Sequence, residues 1–222
     1  SQIELRVIAA LAKDEAMIEA FRNGEDIHKA TAAKVFEVPL EEVSREQRSN
    51  AKTVNFGIVY GVSAFGLSQQ TDMSRKEAKA AIDGYFRTYP GIKAYMDDQV
   101  AFARENGYVE TITGRRRYLK DIESRNAVVR GHSERNAVNA PIQGSAADII
   151  KLAMIEIDRA MRAEGLKSKM LLQVHDELVF DAVEGELEAL KALVVEKMEA
   201  AVDLAVPMIA EVGTGKTWLE AH

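Results

Sequence analysis

Two cations and two aromatic rings recur at every fourth position of one segment: Arg48, Lys52, Phe56 and Tyr60. On an α-helix, a step of four residues advances roughly 40° beyond a full turn, so these side chains form one slowly winding stripe. Ser44 followed by Gln47 is the sequence pattern of a capping box, which predicts a helix that begins near Arg45. The segment is therefore predicted to be a helix with one chemically distinctive side.

The order of the side chains along this stripe favours a bound ligand. Both cations lie in the N-terminal half of the helix, where the macrodipole is already positive, and an anion would relieve that conflict. Backbone N–H groups, Arg48 and Lys52 suit a polyphosphate, while Phe56 and Tyr60 offer flat surfaces for a base or a sugar. The alternative is a structural helix with two solvated cations and two core aromatics. Spacing alone leaves both interpretations open.

The composition sets the class of protein. With 222 residues, of which 47% are hydrophobic, the chain is long enough for one sizeable domain or two small ones. The absence of cysteine excludes disulfides and thiolate metal sites, and the sequence has neither a signal-peptide pattern nor a run of about 18 apolar residues. We therefore expect a globular, cytoplasmic protein that does not enter a membrane.

Charge is unevenly distributed along the chain. The net charge of −6 argues weakly against a polyanionic partner, but lysines and arginines outnumber acids by seven to four between Glu110 and Arg135. Some of these basic residues lie on a predicted hairpin, 108–119, whose turn contains Gly114. Much of the acidity lies on a predicted amphipathic helix within 183–203. The basic hairpin is thus a candidate phosphate-binding surface.

Helical periodicity dominates the first 107 residues. Asp26 is a predicted cap, and Ser74 with Glu77 forms a second capping-box pattern, whose helix is interrupted at Pro90. Helices are predicted to start at or near six positions: Ile3, Ala16, Ile27, Arg45, Ser74 and Pro90.

The second half of the chain mixes helices with β-branched segments. A long helix is predicted over 133–161, with a bend or break at Pro141 and Gly144. Strands are predicted at three further places: 169–175, 177–181 and 208–212. Helices combined with antiparallel strands predict an α+β fold.

Carboxylates mark the tight turn between two of these strands. In Gln-Val-His-Asp-Glu, residues 173–177, Asp176 is placed to project from the sheet edge toward a hard cation such as Mg²⁺. A polar turn without any ligand is an equally simple interpretation of this segment alone. A metal-dependent phosphohydrolase is the least favoured, because His175 and Asp176 have no further clustered ligands in the sequence.

Three motifs together resemble those of the family A DNA polymerases. Ser1–Arg6 is similar to the end of the family's first catalytic motif, Asp-Tyr-Ser-Gln-Ile-Glu-Leu-Arg, and Arg48–Gly61 fits its Arg-x-x-x-Lys-x-x-x-Phe-Gly-x-x-Tyr-Gly helix. Gln173–Glu177 fits its third motif, Gln-Val-His-Asp-Glu. The resemblance covers the whole chain. It implies an α+β fold with an antiparallel palm sheet, from 1–13 and 108–222, and a mainly helical fingers subdomain, 14–107.

The resemblance also implies a role for each motif residue. One group would bind the incoming deoxynucleoside triphosphate: Gln2, Glu4, His28, Arg48, Lys52, Phe56 and Tyr60. Another would contact the primer-template DNA: Arg6, Arg135, Asn139, Gln143 and His175. Asp176 would be catalytic and bind Mg²⁺, and Glu177 would assist beside the metal. Glu4 and Tyr60 would also close the space that a ribose 2′-hydroxyl needs.

Two-metal phosphoryl transfer in this family uses a second aspartate, two residues before the serine of the first motif. That aspartate would precede Ser1. We therefore expect a template-directed DNA polymerase in the longer parent, and little primer extension by these 222 residues alone. Two alternatives stay open: a DNA- or nucleotide-binding fragment without catalysis, and a single-subunit RNA polymerase. Phe56, Gly57 and the His-Asp-Glu sequence fit the DNA enzymes better than the RNA enzymes.

Overall fold

Polar caps start the helices of the first half of the chain. The computed structural model describes residues 2–221, and the side chains of Asp14, Asp26, Ser44, Ser63 and Ser74 each accept a backbone N–H at a helix start. The capping boxes predicted at Ser44 and Ser74 are both formed. The helices of this half are α1 (Ile3–Ala12), α2 (Glu15–Arg22), α3 (Ile27–Val35), α4 (Arg45–Val59), α5 (Ala64–Gln70), α6 (Arg75–Thr88) and α7 (Pro90–Asn106).

Two hairpins supply the strands found within residues 2–221. Their strands are β1 (Tyr108–Glu110), β2 (Arg116–Tyr118), β3 (Lys169–Val174) and β4 (Glu177–Asp181). Each hairpin is an antiparallel pair, with Tyr108 opposite Tyr118 in the first and Val174 opposite Glu177 in the second. The predicted α+β class and both predicted hairpins are therefore confirmed, although each sheet contains only two strands in the described part of the chain.

The long helix of the second half is longer than predicted. It is α8 (Ala127–Ala163), which Asn126 caps by accepting the N–H groups of Val128 and Val129. The predicted start at 133 is wrong, because the Asn126 cap lies seven residues earlier. The helix also continues through Pro141, whose ring is buried, since packing of this face outweighs the lost backbone hydrogen bond. None of the helices in residues 2–221 combines the length and the apolar character needed to cross a membrane.

The last predicted strand, 208–212, is absent from the described structure, so this prediction is wrong. A strand needs a hydrogen-bonded neighbour, and no strand of residues 2–221 pairs with this segment. One of its backbone groups, Ala210 N–H, donates instead to the Glu199 carboxylate at 3.0 Å. The predicted acidic helix is present as α9 (Leu187–Glu199), and a short helix α10 (Trp218–Ala221) follows near the end.

The main hydrophobic core lies where the helices of the first half meet α8. Leu5, Phe21, Tyr85 and Ile142, from four different helices, are each at most 2% exposed there. A second cluster packs α8 against α9 and the inner side of β4. In this arrangement α1 lies against both α7 and α8, and α3 lies against α4. The stripe on α4 therefore faces outward beside α1 and α3.

Candidate functional site

The burial of α4 separates a core side from the predicted stripe. Ala51, Val54 and Ile58 on the inner side are at most 2% exposed, whereas Lys52 is exposed and Phe56 is half-buried. Tyr60, immediately after the helix, is 42% exposed. The alternative of a purely structural helix would require both aromatic rings to belong to the buried core, and neither does. This geometry favours a ligand-facing stripe.

A cavity of about 460 Å³ opens along this stripe. The residues that line it come from α4, from the loop after it and from the end of α5: Ser49, Lys52, Thr53, Phe56, Gly57, Tyr60, Val62 and Gln70. Sequence reasoning missed Ser49, Thr53 and Gln70. Ser49 and Thr53 directly follow the two cations with the same four-residue spacing, which was a usable signal. Gln70 had no such signal, because only the packing of α5 brings it to the cavity.

Arg48 does not line this cavity and is held by a residue at the start of another helix. Its Nε lies 2.7 Å from Oδ2 of Asp26, which also caps α3. Partial burial disfavours the charge of this carboxylate, but the hydrogen bond from Arg48 and those from the α3 backbone lower the pKa of Asp26. The pair is partly exposed, so it orients the guanidinium more than it stabilises the fold.

His28 lies behind the two cations and beside the ring of Phe56. Its side chain is almost fully buried, the two ring centroids are 5.7 Å apart, and Nδ1 is 2.9 Å from the amide nitrogen of Asn55. Burial lowers the pKa of His28 to about 4; Asp26 opposes this change, and the positive charges of Arg48 and Lys52 add to it. His28 is therefore neutral at pH 7.

We expect the chain to lose stability as the pH falls from 6.5 toward 4. The folded chain keeps His28 neutral down to about pH 4, whereas the unfolded chain protonates it near its ordinary pKa of 6.5. The unfolded state therefore binds more protons in this window, and the free energy of unfolding falls by about 2 kcal/mol after allowance for solvent screening. Urea unfolding at pH 7 and pH 4 measures this loss.

The variant His28→Gln isolates this contribution. Its loss of unfolding free energy between pH 7 and pH 4 should be smaller than that of the wild type by about 2 kcal/mol. His132→Gln, which alters an exposed histidine, should behave as the wild type does. An equal pH-dependent loss in all three proteins would contradict the assignment to His28.

Tyr60 joins the stripe to α1 and α8. Its hydroxyl donates to Oε2 of Glu4 at 2.7 Å and also hydrogen-bonds Gln143. Burial of the hydroxyl, and then the Glu4 carboxylate, raise the pKa of Tyr60, which therefore stays protonated. Next to it Gly61 has a φ of +71°, and a Cβ there would lie 2.9 Å from Cγ of Arg135. Glycine is thus required where the turn after α4 meets the Arg135 side chain of α8.

The remaining residues predicted to contact DNA differ in exposure. Arg135 and Gln143 are exposed on α8, and between them Asn139 is half-buried with no partner for its Oδ1 within the described residues. His175 is exposed. Arg6 is only 8% exposed, donates to the Pro207 carbonyl at 2.6 Å and lies 4.5 Å from the centre of a phenylalanine ring. Arg6 thus lies beneath the surface rather than on it.

The predicted metal residues lie at the β3–β4 turn. His175 adopts a left-handed φ of +53°, and the Gln173 amide donates to its carbonyl at 2.9 Å, so the turn is well defined. Asp176 is half-buried and lines a narrow cleft with Arg6 and with Ile3 of α1. No group of three or more histidine, aspartate or glutamate side chains within residues 2–221 could hold a metal ion.

The structure describes all of the first motif that this chain contains except Ser1, its first residue. Ser1 lies outside the described residues, and Gln2 is half-buried at the start of α1, with a left-handed φ of 64°. Glu4 and Arg6 follow on the same helix, so this motif meets the stripe through Glu4 and the β3–β4 turn through Arg6. The three sequence motifs therefore converge on one side of the molecule.

The basic hairpin is anchored to α8. Oδ2 of Asp148, a largely buried residue, accepts the hydroxyls of Thr111 and Thr113 at 2.7 and 2.6 Å, and Oδ1 lies 2.8 Å from Nε of Arg115. Burial disfavours its charge, but these three partners lower the pKa of Asp148. Arg117 is exposed on β2. Sequence reasoning missed Asp148, which positions the hairpin turn.

Comparisons with known proteins agree on one family. The sequence profile of DNA polymerase family A matches residues 1–220. DNA polymerase I of Streptococcus pneumoniae serotype 4 is 56% identical over 222 residues, all of this chain and 25% of that protein. DNA polymerase I of Geobacillus stearothermophilus is 53% identical over 221 residues, again 25% of its length. The chain therefore spans about a quarter of the length of these curated relatives.

A solved structure extends this agreement to three dimensions. The chain is similar to the polymerase domain of Pol1 from M. smegmatis, solved in complex with DNA primer-template and dNTP. The TM-score is 0.95 with 49% sequence identity, and the match covers 100% of this chain and 39% of that one. The fold described above is therefore the fold of the corresponding part of that domain.

Proposed function

Because this chain belongs to DNA polymerase family A, we propose that it contributes the nucleotide-binding side of an enzyme that adds deoxynucleotides to a primer 3′-hydroxyl on a DNA template. The observation that carries the proposal is the cavity along the α4 stripe, where Lys52, Phe56 and Tyr60 meet. Residues 14–107 would form the fingers, and 1–13 with 108–222 would form part of the palm. Such an enzyme would act in DNA replication and repair in the cytoplasm.

Each residue of the stripe has a role in binding the deoxynucleoside triphosphate. Arg48 and Lys52 would hold the phosphates by charge-assisted hydrogen bonds near the start of the helix. Phe56 would pack against the sugar and base. The hydrogen-bonded pair of Tyr60 and Glu4 would occupy the space of a ribose 2′-hydroxyl, which favours deoxynucleotides over ribonucleotides. This last role argues for a DNA polymerase rather than an RNA polymerase.

The exposed face of α8 is the proposed contact with primer-template DNA. Arg135 would bind a phosphate, while Asn139 and Gln143 would offer amide groups to the nucleic acid from the same helix face. The Oδ1 atom of Asn139 is buried and lacks a partner in the described residues, so this side chain would have to turn outward to meet the nucleic acid. His175 would approach the primer end from the β3–β4 turn. Gln2 and Arg6 would support this region from α1.

The carboxylates at the β3–β4 turn fit Mg²⁺. This ion is commonly held by one or two carboxylates together with substrate phosphates, so Asp176 with Glu177 nearby is a suitable donor set beside a triphosphate. When bound, Mg²⁺ would stabilise the negative charge of the transferring phosphoryl group. The chain's own part is to place the Asp176 carboxylate in the cleft that α1 also lines.

Nucleotide binding by this chain tests the proposal. We expect Lys52→Ala to weaken the binding of dATP by about 10- to 100-fold, because one charge-assisted contact to a phosphate contributes about 1.5–3 kcal/mol. Isothermal titration of dATP at fixed ionic strength measures this change. Deoxyadenosine, which has no phosphates, should lose little affinity in the same variant.

The control is Lys76→Ala, which removes one exposed lysine from α6 and leaves the stripe intact. It changes the net charge by the same amount as Lys52→Ala. Equal dATP affinities in the wild type and Lys52→Ala would show that the α4 stripe is not the triphosphate site. A similar loss in both variants would assign the effect to net charge.

A further inference from the structure

Four buried polar side chains form a continuous hydrogen-bonded chain behind the stripe. The Tyr89 hydroxyl lies 3.0 Å from Oγ1 of Thr31, which lies 3.2 Å from Oδ1 of Asn55. The amide nitrogen of Asn55 lies 2.9 Å from Nδ1 of His28. The first three residues are fully buried, and His28 is 3% exposed. The chain links α3 and α4 to the junction between α6 and α7.

With the Asn55 amide oxygen facing Thr31 and its nitrogen facing His28, as in the structure, the hydrogen bonds of this chain run in one order. Thr31 donates its single hydroxyl hydrogen to the Asn55 oxygen, so it accepts from the Tyr89 hydroxyl. With its oxygen engaged by Thr31, Asn55 turns its amide N–H group toward Nδ1 of His28. Nδ1 must then be the acceptor nitrogen of the ring. In a neutral imidazole the hydrogen is consequently on Nε2.

Nε2 of His28 makes no hydrogen bond with any residue between 2 and 221. The charged groups that act on the ring are Asp26, at the start of α3, and Arg48 and Lys52 on α4. A ring in this environment that carries its hydrogen on Nε2 can donate to an anion. The opposite tautomer would turn a lone pair toward the same anion and repel it.

We propose that Asn55, held by Thr31 and Tyr89, is a positioning residue that fixes His28 as the Nε2–H tautomer, a neutral donor for a phosphate oxygen beside Arg48 and Lys52. The phosphate part of this inference rests on the proposed nucleotide binding, and the tautomer part does not. Fixing the donor in advance reduces the cost of ordering the site when the triphosphate binds. Because the neutral ring of His28 donates a hydrogen bond, the site does not need a third positive charge beside Arg48 and Lys52.

The ring nitrogens report the tautomer directly. Long-range ¹H–¹⁵N spectra of the ¹⁵N-histidine-labelled chain at pH 7, with His28 assigned by the signal lost in His28→Gln, should show hydrogen on Nε2. Asn55→Asp puts a carboxylate, which only accepts, opposite Nδ1. It should move the hydrogen from Nε2 to Nδ1. Asn50→Asp, which makes the same change elsewhere on α4, should leave the His28 shifts as in the wild type.

Three results of this experiment would overturn the proposal. These are hydrogen on Nδ1 in the wild type, unchanged His28 shifts in folded Asn55→Asp, and an equal change in Asn50→Asp. Thr31→Val is the second variant, in case Asn55→Asp does not fold. It frees the Asn55 oxygen, so it should give a mixture of both tautomers, and a pure Nε2–H ring in folded Thr31→Val would count against the role of Thr31.

A double-mutant cycle separates the tautomer from the added negative charge. Asn55→Asp should weaken dATP binding by about tenfold when His28 is present, and by less than about twofold in the His28→Gln background. Equal losses in both backgrounds would assign the effect to charge and overturn the donor role. If the tautomer shifts as expected but the wild type binds no dATP, the positioning role holds and the proposed nucleotide site fails.

Discussion

Replacing Asp176 with alanine is expected to reduce primer extension by about 10³-fold or more in a complete polymerase, a loss of at least about 4 kcal/mol of transition-state stabilisation. A chimera provides the complete enzyme. This 222-residue sequence would replace the corresponding quarter of DNA polymerase I from Streptococcus pneumoniae. The two sequences are 56% identical over the whole of this chain. Single-turnover incorporation of a correct deoxynucleotide onto a primer-template measures the effect.

The physical reason is the position of this carboxylate. Asp176 lies at the β3–β4 turn, in a cleft that it shares with Ile3 and Arg6 of α1, the helix whose Glu4 contacts Tyr60. A cation held there would therefore be close to the elements that are proposed to bind the triphosphate. Alanine removes both carboxylate oxygens and leaves the turn backbone unchanged.

Asp181→Ala is the matched control for this prediction. Asp181 is an exposed aspartate at the far end of β4, opposite Lys169, and is away from the turn. Its replacement should leave incorporation within about twofold of the unmodified chimera, since exposed side chains away from functional sites usually contribute little. If Asp176→Ala retained more than a tenth of the activity, Asp176 would not be a catalytic metal residue.

Local signals predicted the helices of the first half well. The caps at Asp26, Ser44 and Ser74 were visible because a cap depends on residues only three or four positions apart. The start of α8 was misplaced because Asn126 precedes valines and a glycine, which are weak helix formers, and packing decides their conformation. The strand predicted at 208–212 does not form. Strand pairing depends on a hydrogen-bonded partner, which sequence periodicity cannot identify.

In the candidate site, too, local spacing predicts some features, whereas others depend on how the helices pack. The period of four placed Lys52, Phe56 and Tyr60 on one side, and the cavity confirms that they lie together. No local pattern indicated that Asp26 pairs with Arg48, 22 residues away, or that Asn55 contacts the His28 ring. Such contacts arise only from the packing of α3 on α4. The roles of the site residues follow from the sequence motifs. The tautomer proposed for His28 follows from the hydrogen bonds of the folded chain.

The burial of Arg6 was also invisible in the sequence. The resemblance assigned Arg6 to a DNA-contacting position and indicated nothing about the burial of its side chain. The structure instead places its guanidinium over the ring of Phe21 and next to the Pro207 carbonyl, so that α1, α2 and the C-terminal segment are joined at this point. Arginine can be buried in this way because the flat guanidinium stacks on aromatic faces.

Phe21→Ala is therefore expected to destabilise the chain by about 3–5 kcal/mol, the usual cost of removing a fully buried aromatic side chain. Phe21 is 2% exposed in the main core, and its loss leaves a cavity and removes the stacking partner of Arg6. Urea unfolding at pH 7, followed by circular dichroism, measures the change. A domain typically has only about 5–15 kcal/mol of total stability, so this is a large share.

Phe65→Ala supplies the matched control, because Phe65 is 59% exposed on α5 and the same atoms are removed. Its effect should stay within about 0.5 kcal/mol, as is usual for surface substitutions.

The Phe21 variant should also lose deoxynucleotide incorporation in the chimera at temperatures where it remains folded, because Arg6 lines the cleft of Asp176. Full incorporation by folded Phe21→Ala would show that the stacked guanidinium supports only the core, and that the position of Asp176 is independent of it.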